Sequence, residues 1–216
     1  MRFPTKNFLI AGIALMLTRC GIEPKVTSPE EDPFASGERY EVELDERQRE
    51  LYLPKTSVAT ADAAYMRAVN ELLESSAKDI KSAYNEHSTT FINIVKATAW
   101  TESTWRHYVN EDGKFYVLLG DEGHAFGMMQ IHDLYHEQFP DLEENVAYGA
   151  AYLATQLEKA AEDCSSGSNS GEQAHKLARR TYAIYNGGDQ ARCRLDDPRD
   201  ERFEAYFLSN PWIEFL

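Results

Sequence analysis

The sequence predicts a mainly α fold carrying one small β-hairpin, and three observations predict it. Apolar side chains recur at three- and four-residue spacing over residues 60–86, at Ala64, Met66, Val69, Leu72, Leu73 and Ile80, the period of a helix with a covered face. Helix-boundary signals punctuate the second half: Asp141 to Glu144 has the form of a capping box, and Gly187-Gly188 that of a helix stop. One stretch, RHYVNEDGKFYVLLG from Arg106 to Gly120, reads as β, with two β-favouring runs around Asn110-Glu111-Asp112-Gly113.

The elements follow in order. Arg2 and Lys6 precede the apolar run FLIAGIALMLT, which has the length of a signal-peptide core and is too short to span a bilayer. It ends in Leu17-Thr18-Arg19-Cys20 and resembles a bacterial lipoprotein signal. That resemblance implies cleavage before Cys20, lipidation of its thiol, and a membrane anchor on the periplasmic side of an envelope. Arg19 departs from the pattern, which has a small residue there; the alternative is an ordinary export signal whose Cys20 is discarded. Export leaves Cys164 and Cys193 as the remaining cysteines. An oxidising compartment favours a disulfide between them, closing a loop of about 30 residues for roughly 3–4 kcal/mol. The alternative is two free thiols.

Residues 21–57 are rich in Pro, Glu and Ser and read as a tether or poorly ordered arm. The folded domain is expected over 58–216. Its helices are expected at about 60–86, from Thr90 to Trp105, from Asp141 to about Ala161, at 172–186 and at 198–209, with the hairpin after the second. A chain of 216 residues suits one domain with an appendage. The net charge of −14, from 36 acidic and 22 basic residues, comes without a dense basic patch and argues against nucleic-acid binding.

Glu102 is the residue that points to chemistry. On a helical wheel, Phe91, Ile94, Val95, Thr98, Glu102 and Trp105 share one arc, on which Glu102 is the only charge, while Ala97 and Trp100 lie opposite. A carboxylate on such an arc loses water, its pKa rises, and it holds a proton near neutral pH, as a general acid must. A Glu that caps a neighbour or pairs with a base is the equally weighted structural reading. Two other patches add polar residues. GDEGHAFGMMQIHD, residues 120–133, sets Gln130 in an apolar run among glycines that allow a ligand close to the backbone. YAIYNGG, residues 182–188, puts Tyr185 and Asn186 at a helix end.

Together these patches resemble the lysozyme-like lytic transglycosylases and goose-type lysozymes. Glu102-Ser103 in a helix, Ala-Phe-Gly-Met-Met-Gln-Ile at 125–131, Asn-Val-Ala-Tyr-Gly-Ala-Ala-Tyr-Leu at 145–153 and Tyr185-Asn186-Gly-Gly follow the order of those families' motifs over about residues 90–190. The resemblance implies a lysozyme-like helical domain that cuts the β-1,4 bond between N-acetylmuramic acid and N-acetylglucosamine in peptidoglycan, without a cofactor. Glu102 would be the acid/base, and Gln130, Tyr185, Asn186 and Ser103 would line the glycan cleft. A transglycosylase of this kind uses one carboxylate and leaves a 1,6-anhydro end. The segment GDEGHAFGMMQIHDLYH is also similar to the goose-type pattern, matched by Asp121 and His136, but that pattern's second Asp falls on His132, with Asp133 one place later. An inverting hydrolase needs a second carboxylate roughly 6.5–9.5 Å from the acid, and Asp121 is the first choice, Asp133 the second.

His132 and His136 stand four apart, near His124, but no HExxH is present, and no metal site is expected. A non-catalytic glycan-binding protein would be expected to have lost its acid, which here is intact. Trp100, Trp105, Tyr108, Phe115, Tyr116, Tyr135 and Trp212 are read as mostly core aromatics, none singled out as a sugar platform.

Overall fold

A computed structural model describes residues 39–80, 88–163, 170–191 and 196–216. The predicted signal segment with Cys20, the arm up to residue 38, and both Cys164 and Cys193 lie outside the described residues. Among those described, the fold is mainly helical with small antiparallel sheets, as the sequence predicts. The described residues form six α-helices, α1 (Glu46–Tyr52), α2 (Ala63–Asp79), α3 (Ser88–Ser103), α4 (Leu142–Asp163), α5 (Ser170–Gly187) and α6 (Pro198–Ser209), and two three-stranded sheets. None of these helices is long and apolar enough to cross a membrane.

Helix α3 is the centre of the fold and packs against α2, α4, α5 and α6. Phe91, Ile94, Val95, Ala97, Ala99 and Trp100 are all buried, so apolar residues occur all round rather than on a stripe. The helix stops at Ser103, two residues before the predicted Trp105. Thr104 (φ 54°) and Trp105 (φ 59°) turn left-handed, and the chain folds Trp105 back beneath the helix. Its indole N–H donates to the Lys96 carbonyl (3.0 Å), its own carbonyl accepts from the Tyr65 hydroxyl (2.5 Å), and its ring lies stacked on Trp212. Trp105 is buried as expected, through a reversal and not a further helical turn.

The hairpin forms as predicted. Strand β2 (Tyr108–Glu111) pairs with β3 (Lys114–Val117), with Glu111 opposite Lys114 across Asp112-Gly113. Both turn residues have positive φ (52° and 83°), the conformation that makes Asp-Gly suit a two-residue hairpin.

The expected tether is corrected from residue 39 onward. Strand β1 (Glu41–Val42) extends the hairpin sheet beside β3, and α1 follows with its own capping box, Asp45 with Gln48. Leu44 and Tyr52 are buried in the core. The Gln48 amide also donates to Asp141, and the Tyr52 hydroxyl to Glu143, tying α1 to the start of α4. The same Asp141 accepts the Glu144 backbone N–H (3.1 Å) through its other oxygen, as its predicted cap role requires.

Candidate active site

A cavity of about 1060 Å³ opens between α3, the ends of α5 and α6, and the loop that carries the second sheet. Strands β4 (Leu119–Gly120), β5 (Ala125–Phe126) and β6 (Ile131–His132) form that sheet, each two residues long. It spans residues 119–132, across the glycine-containing stretch, where strands this short carry no readable alternation.

Of the sequence-predicted site residues, Glu102, Asp121, Gln130, Tyr185 and Asn186 line this one cavity. Ser103 does not. It is buried, and its hydroxyl donates to the Ala99 carbonyl one turn back (3.0 Å), so Thr101 rather than Ser103 joins Glu102 at the wall. Thr101 and Ser103 lie about 100° to either side of Glu102 on the helix; the cavity is on the Thr101 side and the core on the Ser103 side.

Glu102 is half-buried, with its backbone on the covered central helix. Burial pushes its pKa up from the ordinary carboxylate value. Three groups pull the other way without cancelling it: the Tyr182 hydroxyl, then the Arg199 and Arg202 cations. Tyr182 donates to Glu102 Oε1 at 2.7 Å. Its own pKa is pushed far up by burial and by the neighbouring carboxyl, so it acts as a donor only. With Oε1 engaged, Oε2 is the oxygen left to carry the proton.

Tyr182 was missed by sequence reasoning. The available signal was its place three residues before Tyr185 on α5, which sets both on the same face. It stacks flat on buried Phe203 of α6 (4.5 Å, 2°), fixing the hydroxyl that meets the acid. Tyr185 contacts the loop instead, donating to the Met129 carbonyl at 2.6 Å. Asn186 accepts from the Arg199 guanidinium.

The loop wall is held by buried polar side chains. His107, fully buried, accepts the Met128 N–H at Nδ1 (2.9 Å) and faces the Pro140 carbonyl at Nε2 (2.9 Å). The backbone donor fixes the tautomer with its proton on Nε2, and burial lowers the pKa to about 4. Asn145, also fully buried, accepts from Met129 N–H and donates to the Phe126 carbonyl. Gly127 (φ 68°) passes so close to His107 that a Cβ would lie 2.3 Å from its ring. Gln130 takes positive φ (48°), and its amide donates back to the Gly127 carbonyl at 2.7 Å. Gly120 makes room for its other end, since a Cβ there would meet Gln130 Oε1 at 2.0 Å.

Asp121 (φ 47°) and Glu122 (φ 57°) are consecutive left-handed residues, an arrangement that costs energy outside glycine. Gly120 and His132 flank Ala125 across the small sheet, so Asp121 reaches His132: Oδ2 lies 2.8 Å from Nε2, with 68% of the Asp121 side chain exposed. Asp133, the second-choice base, is occupied by His124 (3.0 Å), whose ring stacks on His132. His136 meets the Tyr148 hydroxyl. Among the described residues no three His, Cys, Asp or Glu side chains converge as a metal site would require.

Comparison with protein-family models, with curated proteins and with solved structures gave no match.

Proposed function

We propose that this protein cleaves the β-1,4 bond between N-acetylmuramic acid and N-acetylglucosamine in peptidoglycan, as a lytic transglycosylase. One observation carries the reading: Glu102 is the sole carboxylate on the buried central helix, stands in a large cavity, and has its pKa raised by burial while Tyr182 occupies one oxygen. The site supplies the components of general acid catalysis on a glycan. The four motifs shared with the lysozyme-like transglycosylases supply the substrate class.

Protonated Oε2 of Glu102 gives its proton to the glycosidic oxygen as the C1–O bond of muramic acid breaks. The N-acetyl oxygen of the same sugar attacks C1, so the positive charge passes into an oxazolinium ring. Glu102, now ionised and steadied by Tyr182, takes the proton of the C6 hydroxyl. Oxygen O6 then attacks C1, the oxazolinium opens, and a 1,6-anhydro end results with no water consumed. Exposed Tyr135 on the cavity wall offers a ring face for a sugar.

One observation favours hydrolysis as the second reading: Asp121 lines the same cavity, held by His132. Mass spectrometry of soluble products from purified peptidoglycan separates the two. Anhydro ends, one water lighter and absent with Glu102→Gln, are the expected result. Reducing ends that vanish in Asp121→Asn make the protein a lysozyme, and no Glu102-dependent product from any wall preparation defeats both readings.

A further inference from the structure

Arg199 and Arg202 stand three residues apart on α6, and both line the cavity that holds Glu102. Arg199 stands in the first turn of the helix, whose N-terminal end prefers anions. Several cations elsewhere in this acidic chain meet carboxylates: Lys96 with Glu74, Lys159 with Asp189, Arg179 with Glu204. Arg199 instead donates to the neutral Asn186 amide. No hydrogen bond or ion pair engages Arg202 among the described residues, and its side chain is exposed. Two guanidinium groups thus face the cavity, where the carboxyl that feels their charge is Glu102, which burial biases toward its neutral form. A guanidinium fork matches a carboxylate in shape and charge, and binds it more firmly than an ammonium does.

We propose that Arg199 and Arg202 form a subsite for a carboxylate of the peptide stem borne by muramic acid. This rests on the glycan-cleaving reading above and adds what the substrate must carry. The subsite has a consequence for the acid. Both arginines favour the ionised form of Glu102, opposing the burial that favours its protonated form. A bound carboxylate cancels that influence, so a strand bearing its stem raises the pKa of Glu102 in the complex and better arms the proton donor.

The test uses the full-length Glu102→Gln protein, which binds without cutting, and calorimetric titration with two tetrasaccharides. One carries its peptide stems; the other has been stripped by an amidase. The stem-bearing fragment is expected to bind about tenfold tighter at low salt, the scale of a charge-assisted pair, with the advantage shrinking as salt screens it. Adding Arg202→Gln or Arg199→Gln is expected to bring the two affinities within about twofold of one another. Equal affinities in the Glu102→Gln protein, binding of neither fragment, or a preference that persists through both arginine substitutions overturns the subsite. In the wild-type protein, the high-pH limb of kcat, which reports the complex, is expected to lie at higher pH on stem-bearing strands. A stem preference without any Glu102-dependent cleavage would remove the enzymatic reading and leave the carboxylate subsite standing.

Discussion

The two walls of the cavity are built in opposite ways. The wall that carries Glu102 is regular helix: α3 is enclosed by four neighbours, and Tyr182 and Tyr185 project from α5 at helical spacing. The facing wall has strands of two residues, three non-glycine residues with positive φ at Asp121, Glu122 and Gln130, and a backbone pinned by His107 and Asn145. The helical wall derives its order from apolar burial and biases the acid toward its protonated form. The loop wall derives its order from buried hydrogen bonds and shapes the space for the ligand. Changes on the first are expected to alter chemistry, and changes on the second to alter stability.

The largest effect is expected for Glu102→Gln, with cleavage falling on the order of 10²–10⁴-fold. The same substitution sharpens the contrast through stability. The folded pKa of Glu102 is raised, so its stabilising contribution is complete below the ordinary carboxylate value and is lost as pH rises through the folded value. Thermal melts are expected to show Glu102→Gln more stable than wild type at pH 7–8, with the gap closing at pH 4.

On the opposite wall, His107→Ala is expected to cost about 2–4 kcal/mol in denaturant unfolding, because it leaves the Met128 N–H and the Pro140 carbonyl unpaired in the core. The pH dependence has the opposite sign. His107 is depressed from 6.5 to about 4, so its contribution is complete above 6.5 and is lost as pH falls toward about 4. Urea midpoints measured across that window should fall in the wild type and flatten in the variant.

Tyr182→Phe tests the helical wall more gently. Losing the donor to Oε1 removes a group that favours the ionised acid. A loss of about tenfold in kcat is expected, with the high-pH limb of the rate profile displaced upward. The smallest effect is expected at Gly149 on α4, where an added Cβ would lie 2.6–2.9 Å from Met129. Gly149→Ala should cost about 1–2 kcal/mol by overpacking, offset in part by helix propensity, with kcat nearly unchanged.

The same contrast explains what the sequence made legible. The helical period alone placed Glu102 on a covered helix, and the polar residues Gln130, Tyr185 and Asn186 stood out against apolar or glycine neighbours. Ser103 was expected in the cleft from the Glu-Ser motif of the resembling families, but here its hydroxyl is spent on the Ala99 carbonyl inside the helix. Tyr182 was overlooked because a tyrosine inside an apolar run looks like core, which most of it is. The second sheet pairs strands of only two residues, too short to show alternation, while the reversal at Thr104-Trp105 and the docking of residues 39–57 depend on partners far away in sequence. Local propensity and periodicity carry no signal for such contacts.

The central claim is that burial on α3 keeps Glu102 protonated when it meets its substrate. It is tested most directly by carbon NMR titration of the side-chain carboxyls, with Glu102→Gln identifying the resonance. A midpoint above the ordinary glutamate value is expected in wild type, moving further up in Tyr182→Phe. A midpoint at or below that value, unmoved by Tyr182→Phe, would contradict the claim and leave Glu102 an ordinary ionised side chain in a cavity.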